Sequence, residues 1–334
     1  MKNRTITNGL LITTTFILIS VFFFCQKNHD GNNVVQLKYE IKIDPSIERH
    51  DYWLSRPGEI KMGTDSLVYI LDQGNSRIIV LDQNLKFIRQ IGRVGQGPGE
   101  MIEPTDLDLD DDNNIYVADP INSRITIFDK LGNNLNTIRF TNSVPSDMHL
   151  AVANNRQIYI NTLFDSLITV FDFGGIKLRS FGTPFKHEQP ATQHYWNIVS
   201  LDFDKEDNLW VVFHTRPIIR KYRKDGVLIF QIEPIGPEIE ERKKQEKPMT
   251  SGLGRYVFYF TDIFCAPDGR IFVGGHNYIY EFNDSGEAKR RYLVNYPSDR
   301  ELKQAFFISR FIYDIQHNLF WASSQFDELI FQIR

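Results

Sequence analysis

Short runs of alternating apolar and polar residues recur along most of the chain. Six copies of the pattern align on an aromatic residue at intervals of 43 to 62 residues, and these anchors are Tyr69, Tyr116, Tyr159, Trp210, Phe272 and Phe320. Nine positions before each anchor the chain is apolar again, with Ile60, Leu107, Leu150, Leu201, Ile263 and Phe311. Alternation with a period of two is typical of β-strands. The chain is therefore predicted to be a repeat of short strands.

The second copy shows what one repeat contains. Its apolar residues alternate through 105–110, 115–119, 124–129 and 135–140, and polar turns separate these runs. Four antiparallel strands that recur at this interval form the blade of a β-propeller. The sequence thus predicts an all-β protein, a six-bladed β-propeller with four-stranded antiparallel blades.

The two ends of the chain indicate how the ring closes. The sixth copy stops at Arg334 and supplies only three strands, whereas residues 34–43 form an alternating run before the first blade. We expect this N-terminal strand to close the last blade, because joining the termini in one blade removes a free sheet edge. The predicted propeller domain spans residues 34–334.

Polar side chains shared by the first two copies point to a family. Asp72, Asn75–Ile78 and Asp82 recur in register as Asp119, Asn122–Ile125 and Asp129. Together with the glycine-rich stretch 92–100, these positions resemble the consensus of the NHL-repeat family. As a whole, the chain resembles the six-bladed β-propellers that bacteria export and anchor as lipoproteins. The resemblance implies a cell-envelope protein that is anchored to a membrane and faces the periplasm or the exterior.

The first 25 residues have the pattern of an export signal. Lys2 and Arg4 precede an uncharged run that ends at Cys25, and a polar tether, residues 26–33, follows. A cysteine in this position resembles the lipid-modified cysteine of bacterial lipoproteins. We expect residues 1–25 to be a signal peptide or lipoprotein-type membrane anchor with lipidation at Cys25. The alternative is an uncleaved anchor.

Composition and charge narrow the possible partners. The net charge of −4 argues against nucleic-acid binding, because neutralising phosphates requires a clustered basic face. The other cysteine, Cys265, lies at an apolar strand position, so no internal disulfide is expected. We expect a monomer that touches the membrane through its anchor and binds a protein, peptide or glycan.

One column of polar residues stands out from the apolar repeat. Immediately before the apolar residue of each inner strand, the chain carries Glu59, Asp106, His149, Ser200, Asp262 and Arg310. In a ring of inner strands these side chains would surround the mouth of the central channel, so they are the predicted ligand-binding residues. The alternative is that they cap backbone groups where strands begin, as Asp and Ser often do.

Histidines form a second group on the same face. His214 and His276 each lie four residues after an aromatic anchor, in the loop between the second and third strands. With His149 they offer three imidazoles, a set that suits zinc with an open coordination position. We expect no cofactor. The alternative is a divalent metal, either zinc on these histidines or calcium at the acidic run 108–112.

Long connections on this face supply the remaining candidates. Tyr195 and Trp196 lie in the connection 182–197, where they could stack on a ligand. The longest connection, 235–260, carries a run of mixed charge that is either a solvated loop or a short surface helix. We predict a binding or scaffolding module that uses these loops. The alternative is an enzyme, a metal-assisted lyase or a lactonase-like hydrolase, with its site at the channel mouth.

The lipid anchor can be tested at one residue. Cys25→Ser is expected to abolish incorporation of a labelled fatty acid and to reduce membrane retention, because the acyl chain would supply the membrane affinity. Metabolic labelling followed by membrane fractionation measures both effects, and Cys265→Ser is the matched control. Wild-type protein that stays in the membrane without any lipid label would contradict lipidation and favour the uncleaved anchor.

Overall fold

Strands account for nearly all of the regular structure in the part of the chain that the computed structural model describes. The described residues are 34–43, 52–142, 144–162, 165–246, 257–275, 277–294, 308–324 and 329–333. Their strands form six antiparallel sheets in chain order, with one additional parallel strand. The predicted six-bladed β-propeller with four-stranded blades is therefore confirmed.

Blades one to three follow the predicted repeat. Blade one contains β3 (Pro57–Met62), β4 (Val68–Asp72), β5 (Arg77–Leu81) and β6 (Phe87–Ile91). Blade two contains β7 (Asp106–Leu109), β8 (Ile115–Asp119), β9 (Arg124–Phe128) and β10 (Asn134–Arg139). Blade three contains β11 (Leu150–Val152), β12 (Ile158–Asn161), β13 (Ile168–Phe171) and β14 (Lys177–Phe181).

The remaining blades have the same order, and the N-terminal strands join them. Blade four contains β15 (Val199–Phe203), β16 (Leu209–Phe213), β17 (Ile219–Tyr222) and β18 (Leu228–Ile232). Blade five contains β19 (Asp262–Cys265), β20 (Ile271–Gly275), β21 (Tyr278–Phe282) and β22 (Ala288–Val294). Blade six contains β23 (Arg310–Asp314), β24 (Leu319–Ser324), β25 (Leu329–Ile333) and the N-terminal β2 (Tyr39–Ile43), and β1 (Val34–Leu37) lies beside blade five.

Apolar side chains packed between neighbouring blades hold the ring together. Each buried cluster among the described residues joins two adjacent blades, and the six clusters cover every junction, including that between blades six and one. The six aromatic anchors are at most 2% exposed. Burying one such side chain contributes roughly 4–6 kcal/mol from its apolar area. The repeat seen in the sequence is therefore the repeat of these interfaces.

Residues 34–43 form two strands instead of the predicted single one. β2 pairs antiparallel with β25 and completes blade six, which confirms the predicted closure. The assignment of residues 34–37 to that blade is wrong, because β1 pairs parallel with β22 of blade five. β25 has only five residues, so it can pair with only half of the ten-residue segment. The other half covers the outer edge of β22, which would otherwise be open.

Two helices interrupt the connections on either side of blade four. α1 (Pro190–Trp196) lies between blades three and four, and α2 (Pro237–Gln245) lies between blades four and five. Both begin with proline, which is favoured in the first helical turn. The charged connection thus contains a surface helix, and its Ile239 is buried in the cluster between blades four and five. Among the described residues, no helix has the length and apolar character needed to cross a membrane.

Separate deletions of the two N-terminal strands test the closure. Deleting residues 39–43 leaves blade six with three strands and should lower the thermal unfolding midpoint by roughly 5–10 °C, because β25 loses its partner. Deleting residues 34–37 removes only the additional strand and should lower the unfolding midpoint by clearly less. Circular dichroism melts of the two variants and the parent give the comparison. Equal effects of the two deletions would contradict a special role for β2.

Candidate functional site

The six predicted polar residues meet where the first strands of the blades surround the channel. β3, β7, β11, β15, β19 and β23 contact one another in a closed ring. We call the site formed by Glu59, Asp106, His149, Ser200, Asp262 and Arg310 the channel mouth. Its first five residues are 3–5% exposed, and the Arg310 side chain is 14% exposed. The expected encirclement is therefore seen, whereas ligand binding by these residues stays a prediction.

Arg310 connects three blades across the channel mouth. Its Nε lies 3.0 Å from Oε2 of Glu59, and its Nη2 lies 3.4 Å from the ring nitrogens of His149. His149 Nδ1 in turn lies 3.2 Å from Oδ2 of Asp106. Four of the six predicted residues thus form one connected network. Because these groups are buried, each contact is much stronger than it would be in water.

Ser200 and His214 form a second pair beside this network. Ser200 Oγ lies 2.8 Å from Nε2 of His214, and the His149 and His214 ring centroids are 5.5 Å apart. Burial, with a contribution from His149 and Arg310, lowers the pKa of His214 well below its usual value. The imidazole is therefore neutral at pH 7 and can accept the Ser200 hydroxyl proton. Among the described residues no carboxylate contacts the His214 ring.

Two of the carboxylates hold the backbone of the following blade. Oδ2 of Asp106 accepts the N–H of Leu150 at 2.9 Å, and Oδ2 of Asp262 accepts the N–H of Phe311 at 3.0 Å. The alternative reading of the column, as backbone caps, is thus partly correct. These capped groups belong to the neighbouring blade, and Asp106 Oδ1 also accepts the N–H of Leu107 in its own strand at 3.1 Å. These two side chains have a structural role in addition to their place at the mouth.

A second layer of charged residues, which the sequence analysis missed, lies two positions further along the first strands. Lys61 Nζ lies 3.4 Å from Oδ1 of Asp108, and Oδ2 of Asp108 accepts the N–H of Val152 at 2.8 Å. Oδ2 of Asp202 accepts the N–H of Cys265 at 2.6 Å. The same period of two that identified the first layer predicts that these positions face the channel.

Two carboxyl groups in the channel, those of Glu59 and Asp202, bind their protons more tightly than isolated carboxyl groups do. Burial, then repulsion from Asp262, raises the pKa of Glu59 well above its usual value, although Lys61 opposes the shift. Burial also raises the pKa of Asp202 to about 7. Asp106 differs: burial acts to raise its pKa, but the hydrogen bond and charge of His149, with the charges of Arg310 and Lys61, together outweigh burial and lower the pKa. The raised pKa values of Glu59 and Asp202 thus come first from burial, to which repulsion from neighbouring carboxylates adds and which Lys61 opposes.

The metal alternative finds little support in this geometry. His276 lies outside the described residues, and the nearest ring-nitrogen contacts of His149 and His214 go to Asp106, Arg310 and Ser200. The guanidinium beside His149 would also repel a divalent ion. No group of three or more His, Cys, Asp or Glu side chains among the described residues is arranged to hold a metal.

The acidic run proposed for calcium is occupied by protein contacts. Asp110 Oδ1 accepts the N–H groups of Asp112 and Asn114, at 3.0 and 2.8 Å. Asp108 contacts Lys61 and the backbone of blade three. The carboxylates therefore do not converge on one point, which a calcium loop requires.

Aromatic side chains and one arginine lie beside the channel mouth. Tyr195 and Trp196, both predicted, are half-buried at the end of α1. The Arg216 guanidinium lies over the Trp196 ring at 4.1 Å and over the Phe185 ring at 4.4 Å, measured to the centroids. We call Phe185, Tyr195, Trp196 and Arg216 the rim. Arg216 is two residues from His214, so the loop of blade four contributes to both groups.

Comparison with known proteins supports the fold. A family model described as a 6-bladed beta-propeller matches residues 49–229. No curated protein matches the chain in sequence. Among solved structures, a streptogramin B lyase is similar with a TM-score of 0.57 and 12% identity, covering 89% of this chain and 97% of that chain.

Two further solved structures share the architecture. A catalytically inactive variant of virginiamycin B lyase from Staphylococcus aureus, with quinupristin, has a TM-score of 0.53 and 12% identity, over 83% of this chain and 80% of that chain. A Bacteroides fragilis protein named as exported has a TM-score of 0.54 and 15% identity, over 90% and 99%. At these identities the likeness concerns the fold alone.

The raised pKa of Asp202 predicts a pH-dependent stability. The folded protein holds this proton more tightly than the unfolded chain, whose Asp pKa is about 3.9. The contribution of protonated Asp202 to the free energy of unfolding is therefore complete below about pH 4. It is lost as the pH rises to about 7. The difference in unfolding free energy between wild type and Asp202→Asn should fall by up to about 1.4 kcal/mol per pH unit in this range. Urea unfolding at several pH values measures it.

Asp204, one residue beyond the end of the same strand, is the matched control with the opposite sign. Burial acts to raise its pKa, but hydrogen bonds from Lys221, Asn208 and Trp210 outweigh burial and lower it. Its contribution is present above about pH 4 and is lost as the pH falls through the folded-state pKa. Asp204→Asn should therefore change the pH dependence on the acid side. Parallel profiles for the two variants would contradict the assigned charge states.

Proposed function

Because the chain belongs to the DUF5128 family of 6-bladed β-propellers, we propose that it is an exported binding protein that captures its ligand at the rim. The observation that carries the proposal is a difference between two neighbouring groups of side chains. At the channel mouth, the charged groups are buried and bonded to one another or to the backbone. At the rim, aromatic side chains remain half-exposed around an arginine.

The side chains of the channel mouth already have partners within the protein, whereas those of the rim can contact a ligand. Asp106 and Asp262 hold the next blade, and Glu59 is paired with Arg310. Freeing such a buried group costs about 1–3 kcal/mol for the partner left unsatisfied. Aromatic side chains at a partly exposed rim offer contact area without that cost, and such residues dominate binding energies. The ligand is a peptide, a protein segment or a glycan of matching shape.

The location of the protein is part of the proposal. Residues 1–25 have the features of an export signal with a candidate lipidation site at Cys25. The similar Bacteroides fragilis protein is named as exported. An anchored propeller in the cell envelope would present its rim to ligands outside the cytoplasm. The eight-residue tether, 26–33, would extend at most about 30 Å.

A hydrolase is the second candidate, because Ser200 and His214 have the geometry of a nucleophile and its base. The 2.8 Å contact and the neutral imidazole meet the first requirements for proton transfer. In such a reaction His214 would accept the hydroxyl proton while Ser200 Oγ adds to an ester carbonyl carbon and the π electrons move to the carbonyl oxygen. Collapse of this adduct would break the bond to the alcohol, which takes the proton from His214, and water would then hydrolyse the acyl-serine. The similar lyase with quinupristin was solved as a catalytically inactive His-to-Ala variant. Among the described residues, however, no carboxylate orients His214.

Two substitutions separate the candidates. Trp196→Ala should weaken capture of ligands from a glycan and peptide array about tenfold or more, as loss of a central aromatic contact does. Ser200→Ala should leave capture within about threefold, since one buried hydroxyl is worth little to a rim contact. Release of p-nitrophenol from p-nitrophenyl acetate is measured in parallel. Turnover that Ser200→Ala abolishes, with array binding unaffected by Trp196→Ala, would reverse the assignment.

A further inference from the structure

The guanidinium of Arg216 lies over two aromatic rings at the rim. Its Cζ lies 4.1 Å from the Trp196 centroid and 4.4 Å from the Phe185 centroid. Both rings come from the connection between blades three and four, whereas Arg216 comes from the loop between β16 and β17. Two separate segments of the chain therefore meet at this cation. Such stacking on aromatic faces is favoured for arginine.

Among the described residues, nothing accepts a hydrogen bond from this guanidinium. Its Nε is shielded from solvent and has no hydrogen-bond partner. Arg220, four residues further along, differs: its Nε donates to Oε1 of Gln231 at 2.8 Å and its Nη1 donates to the carbonyl of Thr183 at 2.7 Å. Keeping a half-buried charged donor without an acceptor is costly. Burial accordingly lowers the pKa of Arg216.

The two stacked rings restrict how Arg216 can meet a partner. Rings that cover its faces leave the N–H groups at the edge of the guanidinium plane. A carboxylate has two oxygens in one plane, and it pairs with that edge through two parallel hydrogen bonds. A neutral acceptor would satisfy at most part of the charge. The geometry therefore selects a planar anion over a neutral group.

We infer that Arg216 binds a carboxylate of the ligand, and that the ligand is an acidic sugar, a uronic acid residue in a glycan. The inference rests on the proposed rim-binding function and adds the chemical class of the ligand. Sugar rings present C–H faces that pack on aromatic side chains. Trp196 contacts the arginine, and Tyr195 precedes Trp196 in α1. The carboxylate would then occupy the edge formed by the two Nη groups, because Nε is shielded from solvent.

An acidic peptide fits the same surface less well. Peptides that bind propeller or sheet edges gain much of their affinity from backbone hydrogen bonds to an unpaired strand. At the mouth, backbone N–H groups of β11 and β23 are already bonded to Asp106 and Asp262 of the preceding blades. The four rim residues come from α1 and two connections, and none of them lies in a strand. A ligand that is recognised mainly by ring faces and a charged group therefore fits better.

Titration calorimetry with a uronate and its neutral counterpart tests the inference. The probes are trigalacturonate and its fully methyl-esterified form, which has the same sugar rings without the charges. The full-length protein in detergent should bind the acid at least about tenfold more tightly than the ester, as expected for a charge-assisted bidentate contact. Arg216→Gln should remove this preference, and Arg216→Lys should retain part of it, because lysine keeps the charge without the planar edge.

Arg223→Gln is the matched control. Arg223 is an exposed arginine of the same blade that pairs with Asp225 in a turn, and its loss should leave the preference unchanged. Unfolding midpoints within a few degrees of wild type would show that the variants fold. Equal affinity for acid and ester, no binding of either at millimolar concentration, or selective binding of a carboxylate-terminated peptide would each overturn the acidic-sugar assignment. Array ligands that depend on Trp196 but not on Arg216 would overturn it while leaving the proposed function in place.

Discussion

The structure depends on how the first strands of neighbouring blades are joined, because no backbone ladder between blades links them in the described part of the chain. At three of the six junctions in the described part of the chain, carboxylates take the place of that ladder. Asp106 and Asp108 accept N–H groups of β11, Asp202 accepts one of β19, and Asp262 accepts one of β23. In each case the donor is the residue after the structurally equivalent position. A buried N–H group without a partner would cost about 1–3 kcal/mol, so these contacts decide whether the ring can close tightly.

This way of joining blades also sets the electrostatics of the channel. Each carboxylate that holds a strand adds a buried negative charge, and burial raises the pKa of Glu59, Asp108, Asp202 and Asp262. Arg310 offsets part of the charge and pairs with Glu59, which joins the last blade to the first. Ser323 supports the same junction through a 2.9 Å hydrogen bond to the Gly58 carbonyl. Closure of the chain and the charge balance of the mouth therefore share residues.

Sequence periodicity predicted what depends on local pattern and missed what depends on how segments meet. The six anchors and the polar column follow from alternation within each strand, and the structure places both as expected. Continuing the same alternation by two positions would have found Lys61, Asp108 and Asp202. The division of residues 34–43 into two strands was not predictable, because it depends on the length of β25 and on the open edge of β22. Arg216 was missed for a similar reason: its neighbours come from a connection whose helix the alternation does not encode.

The backbone contacts made by the channel carboxylates explain why we place ligand recognition at the rim. A substitution at Asp106 or Asp262 would free a backbone group of the next blade, so these positions are constrained by the ring itself. In the described part of the chain, the side chains of His149, Ser200 and His214 bond no backbone group within a neighbouring first strand. Ser200 Oγ lies 3.4 Å from the carbonyl of Thr261, the residue before β19. Rim residues lie in connections, where length and sequence can vary without disturbing a blade. Specificity can therefore change at α1 and at the loop of Arg216 while the charged ring beneath them stays the same.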